Sequence, residues 1–371
     1  MPTDEENRAP APAAALSTRK KVLFALVAGV GLPVALLAFA EVAGRIAFHF
    51  KYGKPGKRYG IYMADPELGA THRPSSYNMN SVINNWGFRN LEDISEAKPP
   101  GATRIYCSGG STTFCYNLPT EQAWPERLQG DLRARPGHER DEVLNAGQIC
   151  FPVSSELVLA KRVVPRLKPD VVVTFTAINE ILASDIIGGA DGKNFDQLLG
   201  EQRFGVVPFA MDQGRFLKRE SVLVRFIDYK IKSWFEPKIT ADFRGAEAPP
   251  RIVHPWVIAN FEHTLRSYIE FLRASGVPRV ILVRWGDSGA PGSFMDEERR
   301  FRERGVAIAR EMGVDVFDFA TVAAAHPRRK ELFIESGVHL TREGAELFAE
   351  NLAAFLTTPP EIAARPPVDA R

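Results

Sequence analysis

Residues 104–116 read Arg-Ile-Tyr-Cys-Ser-Gly-Gly-Ser-Thr-Thr-Phe-Cys-Tyr, a β-rich run, a double-glycine turn and the start of a helix. Arg104 to Cys107 is a short β-rich run that opens directly after the break Lys98-Pro99-Pro100-Gly101. Gly109 and Gly110 then let the backbone turn sharply, leaving the Ser111 hydroxyl exposed and its N–H aimed into the crevice at the strand end. The same Gly/Ser/Thr composition also suits a phosphate cradle, as in flavin mononucleotide binders, or a plain turn. Ser111 gains meaning from residues further along the chain.

Downstream, short β-rich runs alternate with longer helical ones, the pattern of a parallel sheet with crossover helices. The strands expected are Arg104 to Cys107, Val143 to Asn145, Val171 to Thr176, Val280 to Val283 and Val314 to Phe317. Helices are expected over Glu121 to Arg133, Ser155 to Leu167, Val257 to Arg273 and Asp296 to Met312. A last one, Arg342 to Leu356, opens behind the N-cap candidate Thr341. Five parallel strands covered on both faces make an α/β fold, a three-layer α/β/α sandwich of the flavodoxin-like kind, which binds ligands at the carboxyl ends of its strands.

Three further features fall at those ends. Gly147, in Asn145-Ala146-Gly147, allows its N–H to approach a substrate oxyanion, although a turn glycine reads the same way. Asn179, in Ala177-Ile178-Asn179-Glu180, offers a side-chain N–H to the same point, the alternative being an Asx turn. His339, in Ser336-Gly337-Val338-His339-Leu340-Thr341, stands at the start of the last helix, where an imidazole can serve a serine as general base if a neighbour orients its second nitrogen. The tripeptide Gly286-Asp287-Ser288 comes too late in chain order to be the nucleophile turn and leads into Gly289-Ala290-Pro291-Gly292 rather than a helix. Ser288 is therefore rejected as nucleophile, while Asp287 or Trp285 on the same rim could touch substrate.

Together these four blocks resemble the SGNH (GDSL-like) hydrolases, from about Arg104 to Leu356. Gly109-Gly110-Ser111 resembles the G-[DG]-S nucleophile block, Gly147 the glycine block, Asn179 the G-x-N-D block, and His339 the D-x-x-H block followed by L-T-x-x-G. Upstream, Asn85-Trp86-Gly87-Phe88-Arg89 looks like the N-x-G-F-R segment of membrane-anchored or exported bacterial members. The resemblance implies a Ser111 nucleophile, a His339 base and an oxyanion hole formed by Ser111, Gly147 and Asn179, with no cofactor and no metal. Two departures matter. Ala177 and Glu180 stand where that family has Gly and Asp, and Ser336 replaces the orienting aspartate, with Glu335 one residue earlier. Glu335, Ser336 or a backbone carbonyl would then hold the imidazole of a Ser111–His339 dyad.

The N-terminus adds a second theme. Val22 to Ala40 runs without a charge after Arg19-Lys20-Lys21, close to the roughly 20 apolar residues that cross a ~30 Å hydrocarbon core. It reads as a transmembrane anchor; Ala38-Phe39-Ala40 also has the small-residue pattern of a signal peptidase site, so a cleaved leader is the rival. Basic residues flank both sides, so charge alone does not orient it. The signal-like start and the resemblance place the core in the periplasm or otherwise outside the cytoplasm. Residues 1–21 form a polar tail, 41–100 a juxtamembrane linker and pre-core segment, 101–356 the core with an aromatic-rich insertion at 183–250 that could be a lid or cap, and 357–371 a Pro/Ala-rich tail.

Composition narrows the partners. Lys and Arg total 47 against 45 Asp and Glu, a net charge of +2, which gives no footing for nucleic acid. Three cysteines are too few for a disulfide framework; Cys115 and Cys150 could pair if exported, or all stay free thiols. The expectation is a serine esterase acting on acyl esters, with O-acetyl groups of cell-envelope glycans as the suggested substrate. Acyl transfer to a polysaccharide, a catalytically impaired binding relative and a flavin or nucleotide binder are the alternatives.

Overall fold

A computed structural model of the chain describes residues 17–52, 56–78, 80–175, 179–180, 255–289, 293–334 and 337–358. The expected insertion at 183–250, most of both tails, and the two candidates Glu335 and Ser336 lie outside the described residues.

The described residues of the N-terminal unit are helical from Thr18 to Tyr52. Helix α1 (Thr18–Leu26) passes through a π-turn (Val27–Gly31) into α2 (Leu32–Tyr52). Pro33 lacks an N–H, and its ring crowds the preceding turn of an α-helix; a wider π-turn just ahead relieves that crowding. Thr18–Ala47 is the one stretch among the described residues long and apolar enough to cross a membrane. At 1.5 Å per residue it measures about 45 Å, more than a ~30 Å hydrocarbon core requires. Apolar side chains such as Leu23, Phe24, Leu36 and Phe39 stand exposed along it.

The second unit begins with two small sheets. Strands β1 (Arg58–Tyr59), β4 (Ser76–Tyr77) and β5 (Val82–Ile83) form one, and β2 (Tyr62–Asp65) pairs antiparallel with β3 (Gly69–His72) in the other. Strands of two to four residues carry too little alternation to show in sequence.

The core elements come in the order β6 (Arg104–Gly109), α3 (Ser111–Phe114), α4 (Trp124–Arg133), β7 (Glu142–Asn145), α5 (Val153–Leu167) and β8 (Val171–Phe175). After them come α6 (Pro255–Ala274), β9 (Arg279–Arg284), α7 (Ser293–Glu311), β10 (Asp315–Asp318), α8 (Phe319–Ala325) and α9 (Arg342–Thr357). All five core strands run parallel in the order β10-β9-β8-β6-β7. Numbered by position in the chain this is 2-1-3-4-5, the flavodoxin-like order, so the three-layer α/β/α sandwich expected from the sequence is the fold observed.

Strand alternation explains the layers. Tyr106, Val172, Val280 and Leu282 face a core built with α5, α6 and α7, whereas Ile105, Cys107, Val171, Val173, Ile281 and Val283 face one built with α4, α8 and α9. Helix α9 starts where Thr341 predicts it, the Thr341 hydroxyl accepting from the Gly344 N–H at 3.2 Å, a cap worth about 1 kcal/mol.

Candidate active site

Ser111 is the first residue of α3, one residue past Gly110 at the end of β6. In a 2-1-3-4-5 sheet the crevice opens between the first and third strands, here β6 and β8, and the register pairs Gly109 with Phe175 at its rim. The turn bearing Ser111 and the end of β8, four residues before Asn179, therefore flank the same opening because of strand order.

The turn is closely fitted. A Cβ on Gly110 would lie 2.1 Å from the Asn179 side-chain nitrogen, so that nitrogen rests directly against the turn. Asn179 is buried and donates one Nδ2 hydrogen to the Phe151 carbonyl at 2.7 Å. Glu180, the next residue, accepts from the Val153 N–H at 2.6 Å and so caps α5. The backbone N–H of Ser111 donates to none of the described residues. Gly147 stands where a Cβ would meet the Phe114 nitrogen at 2.4 Å, and its N–H donates to the Asn145 side chain at 3.1 Å. Its evident role is close approach of β7's end to α3; oxyanion donation from it would share the hydrogen now held by Asn145.

His339 arrives from the far end of the chain. Its Nε2 lies 2.8 Å from Ser111 Oγ. The loop that carries it is pinned through its backbone. Trp285 Nε1 donates to the Val338 carbonyl at 2.9 Å, Ser288 N–H to Gly337 at 2.9 Å, and Asn117 Nδ2 to Leu340 at 2.8 Å. Tyr116, exposed at the rim, sets its ring edge-on to the imidazole with centroids 4.7 Å apart. Burial holds His339 down to about 4, so the imidazole is neutral at pH 7 and able to accept a proton.

The Gly286-Asp287-Ser288 loop is held from within, its Trp285 and Asp287 side chains being buried. Asp287 accepts from Arg299 at 3.1 Å, Arg302 at 3.0 Å, Arg329 at 2.8 Å and the Gly289 N–H at 2.7 Å. Burial opposes its charge, but these donors outweigh it and hold the carboxyl below the usual range. Asp287 is an internal anchor for the loop that braces His339. Neither Asn117 nor Tyr116 carries a motif in sequence; their only signal is position just past the nucleophile turn. The cysteines are likewise settled: Cys107, Cys115 and Cys150 are all free thiols, so Cys115 and Cys150 do not pair.

Among the described residues no three His, Cys, Asp or Glu side chains converge as a metal site requires. No family model matches the chain, and no curated protein matches it. Among solved structures it is similar to a lipase/acylhydrolase from Enterococcus faecalis, at 17% identity over 68% of this chain and 95% of that one, with a TM-score of 0.42. It is also similar to an acetylxylan esterase from Geobacillus stearothermophilus, at 16% identity over 69% and 95% with a TM-score of 0.43. A third, the acetyl xylan esterase AlAXEase, gives 14% identity over 68% and 99% with a TM-score of 0.44. Likeness at this level assigns no substrate, and the fold rests on the strand order itself.

Proposed function

We propose that this protein is a membrane-tethered serine esterase of the SGNH type. The observation that carries the reading is the 2.8 Å contact between Ser111 Oγ and His339 Nε2, at the strand ends of a 2-1-3-4-5 sheet. His339 removes the Ser111 proton as Oγ attacks the ester carbonyl. The oxyanion takes hydrogen bonds from the Ser111 N–H and from the second Nδ2 hydrogen of Asn179, with Gly147 as the third donor proposed from sequence. Collapse expels the alcohol, protonated by His339, and leaves an acyl-enzyme that water cleaves by the same route. Glu335 and Ser336 remain the side chains proposed to orient the imidazole. An O-acetylated glycan of the cell envelope is the proposed substrate, with the core on the extracytoplasmic side of the N-terminal helix. That placement rests on the apolar segment and the sequence resemblance.

The test is direct. Wild-type protein hydrolyses a short-chain aryl ester and is labelled by a fluorophosphonate at Ser111; Ser111→Ala loses both. An unchanged hydrolysis rate in Ser111→Ala would sink the reading.

A further inference from the structure

Arg89 closes the Asn85–Arg89 segment, and the proposed chemistry gives it no task. It is nonetheless fully buried, at 0% exposure. Its own N–H donates to the Asn145 carbonyl at 2.9 Å, fixing it beside the end of β7. Asn90 strengthens that attachment, accepting from the Asn145 N–H at 3.0 Å and donating to the Val143 carbonyl at 2.8 Å. From there the side chain of Arg89 reaches under the nucleophile turn. Nη1 donates to the carbonyls of Phe114 and Cys115, the latter at 2.8 Å, and Nη2 to those of Leu118 and, at 3.0 Å, Asn80. The guanidinium also lies over the Phe114 ring, 4.5 Å from its centroid.

Resting on the esterase reading, we infer that Arg89 is a positioning residue for the nucleophile: it clamps the C-terminal carbonyls of α3 so that Ser111, at the other end of that single turn, presents its Oγ and N–H to the substrate. Two physical points support this. Cys115, which ends the turn, is a non-glycine residue in the left-handed region at φ 58°, a sterically crowded conformation that persists only where its surroundings over-determine it. Arg89 supplies that constraint, binding the carbonyls of Phe114, Cys115 and, three residues on, Leu118. Second, none of the described carboxylates is hydrogen-bonded to this buried cation, whose partners are carbonyl dipoles at a helix C-terminus. Burying a charge this way costs more than filling the same volume with an apolar side chain, so packing alone does not account for it. A four-residue turn has almost no rigidity of its own, and a 1 Å misplacement of a reacting group can cost about 10²-fold in rate.

The experiment compares full-length wild type with Arg89→Met, Arg89→Lys and Arg89→Ala, reading aryl-ester kinetics, fluorophosphonate labelling and amide hydrogen exchange. Arg89→Met is expected to lower kcat by about 10- to 100-fold with KM within about twofold, and to speed exchange at residues 114–118 at least about tenfold while β8 and β9 keep their protection. Arg89→Lys recovers part of the rate, since one ammonium cannot span four carbonyls. Millimolar guanidinium restores activity to Arg89→Ala but not to Ser111→Ala. If Arg89→Met does not fold, the Lys and Ala variants carry the same readouts. A folded Arg89 variant with wild-type kcat and wild-type exchange at 114–118 overturns the inference. If wild type itself leaves Ser111 unlabelled, the esterase reading fails, and exchange alone then judges Arg89: acceleration confined to 114–118 upholds the clamp, and uniform or absent change removes it.

Discussion

His339 sets the pH response of the site. Its ordinary value near 6.5 is lowered to about 4 by burial, so the neutral, proton-accepting form dominates well below neutrality. Activity that needs a neutral base rises with pH through the folded value and then levels. The acid limb of kcat/KM for an aryl ester is accordingly expected near pH 4, and a limb at 6.5 or above would show that a carboxylate near the ring restores its basicity. Asn179 is the side chain proposed as oxyanion donor, with one Nδ2 hydrogen beyond that given to Phe151. Asn179→Ala is expected to lower kcat about 10²- to 10³-fold, roughly 2.7–4 kcal/mol, with KM little changed, as steady-state kinetics would show. At this scale the sequence was informative where chemistry needs a local device. Ser111 and His339 were legible as candidates only as members of four short blocks in an order that resembles a known family, the two glycines or the capped helix alone being ambiguous. Trp285 and Asp287 were not legible as internal anchors, because nothing in a loop sequence tells which of its side chains turns inward.

Among the elements, α9 joins the site to the core. Phe348 on its inner face is fully buried and meets the rings of Trp124, Trp285, Phe317 and Phe319 at centroid distances of 4.6 to 5.5 Å. Trp285 in turn holds the Val338 carbonyl next to His339. Phe348→Ala removes the ring at the centre of this cluster and is expected to destabilise the fold by about 3–5 kcal/mol, measured by denaturant titration. The core strands were readable to within a residue or two because, buried on both faces, each shows as a short continuous run of apolar and β-branched residues bounded by turns. The short strands between Arg58 and Ile83 and helix α8 were not. Their sequences hold too few turns of any period, and they form because the core offers them a surface.

For the whole molecule, the Thr18–Ala47 stretch is the feature with a consequence beyond the site. As an anchor it keeps the full-length protein in the membrane pellet through alkaline carbonate extraction. Release into the supernatant, with a new N-terminus after Ala40 by mass spectrometry, would identify a cleaved leader instead. Sequence by itself determined the fold class, the apolar N-terminal segment and the identity of the residues proposed as nucleophile, base and donor. The first is written in the succession of apolar runs, the second in the length of one such run, and the third in the order of four short blocks that resembles a known family. Only the tertiary structure decided that Ser111 and His339, 228 positions apart, close to 2.8 Å. It alone also placed the Arg89 guanidinium beneath the turn that carries Ser111 and turned Asp287 inward among arginines. Such contacts depend on strand order and on which buried polar groups find partners, and neither quantity is local to any stretch of sequence.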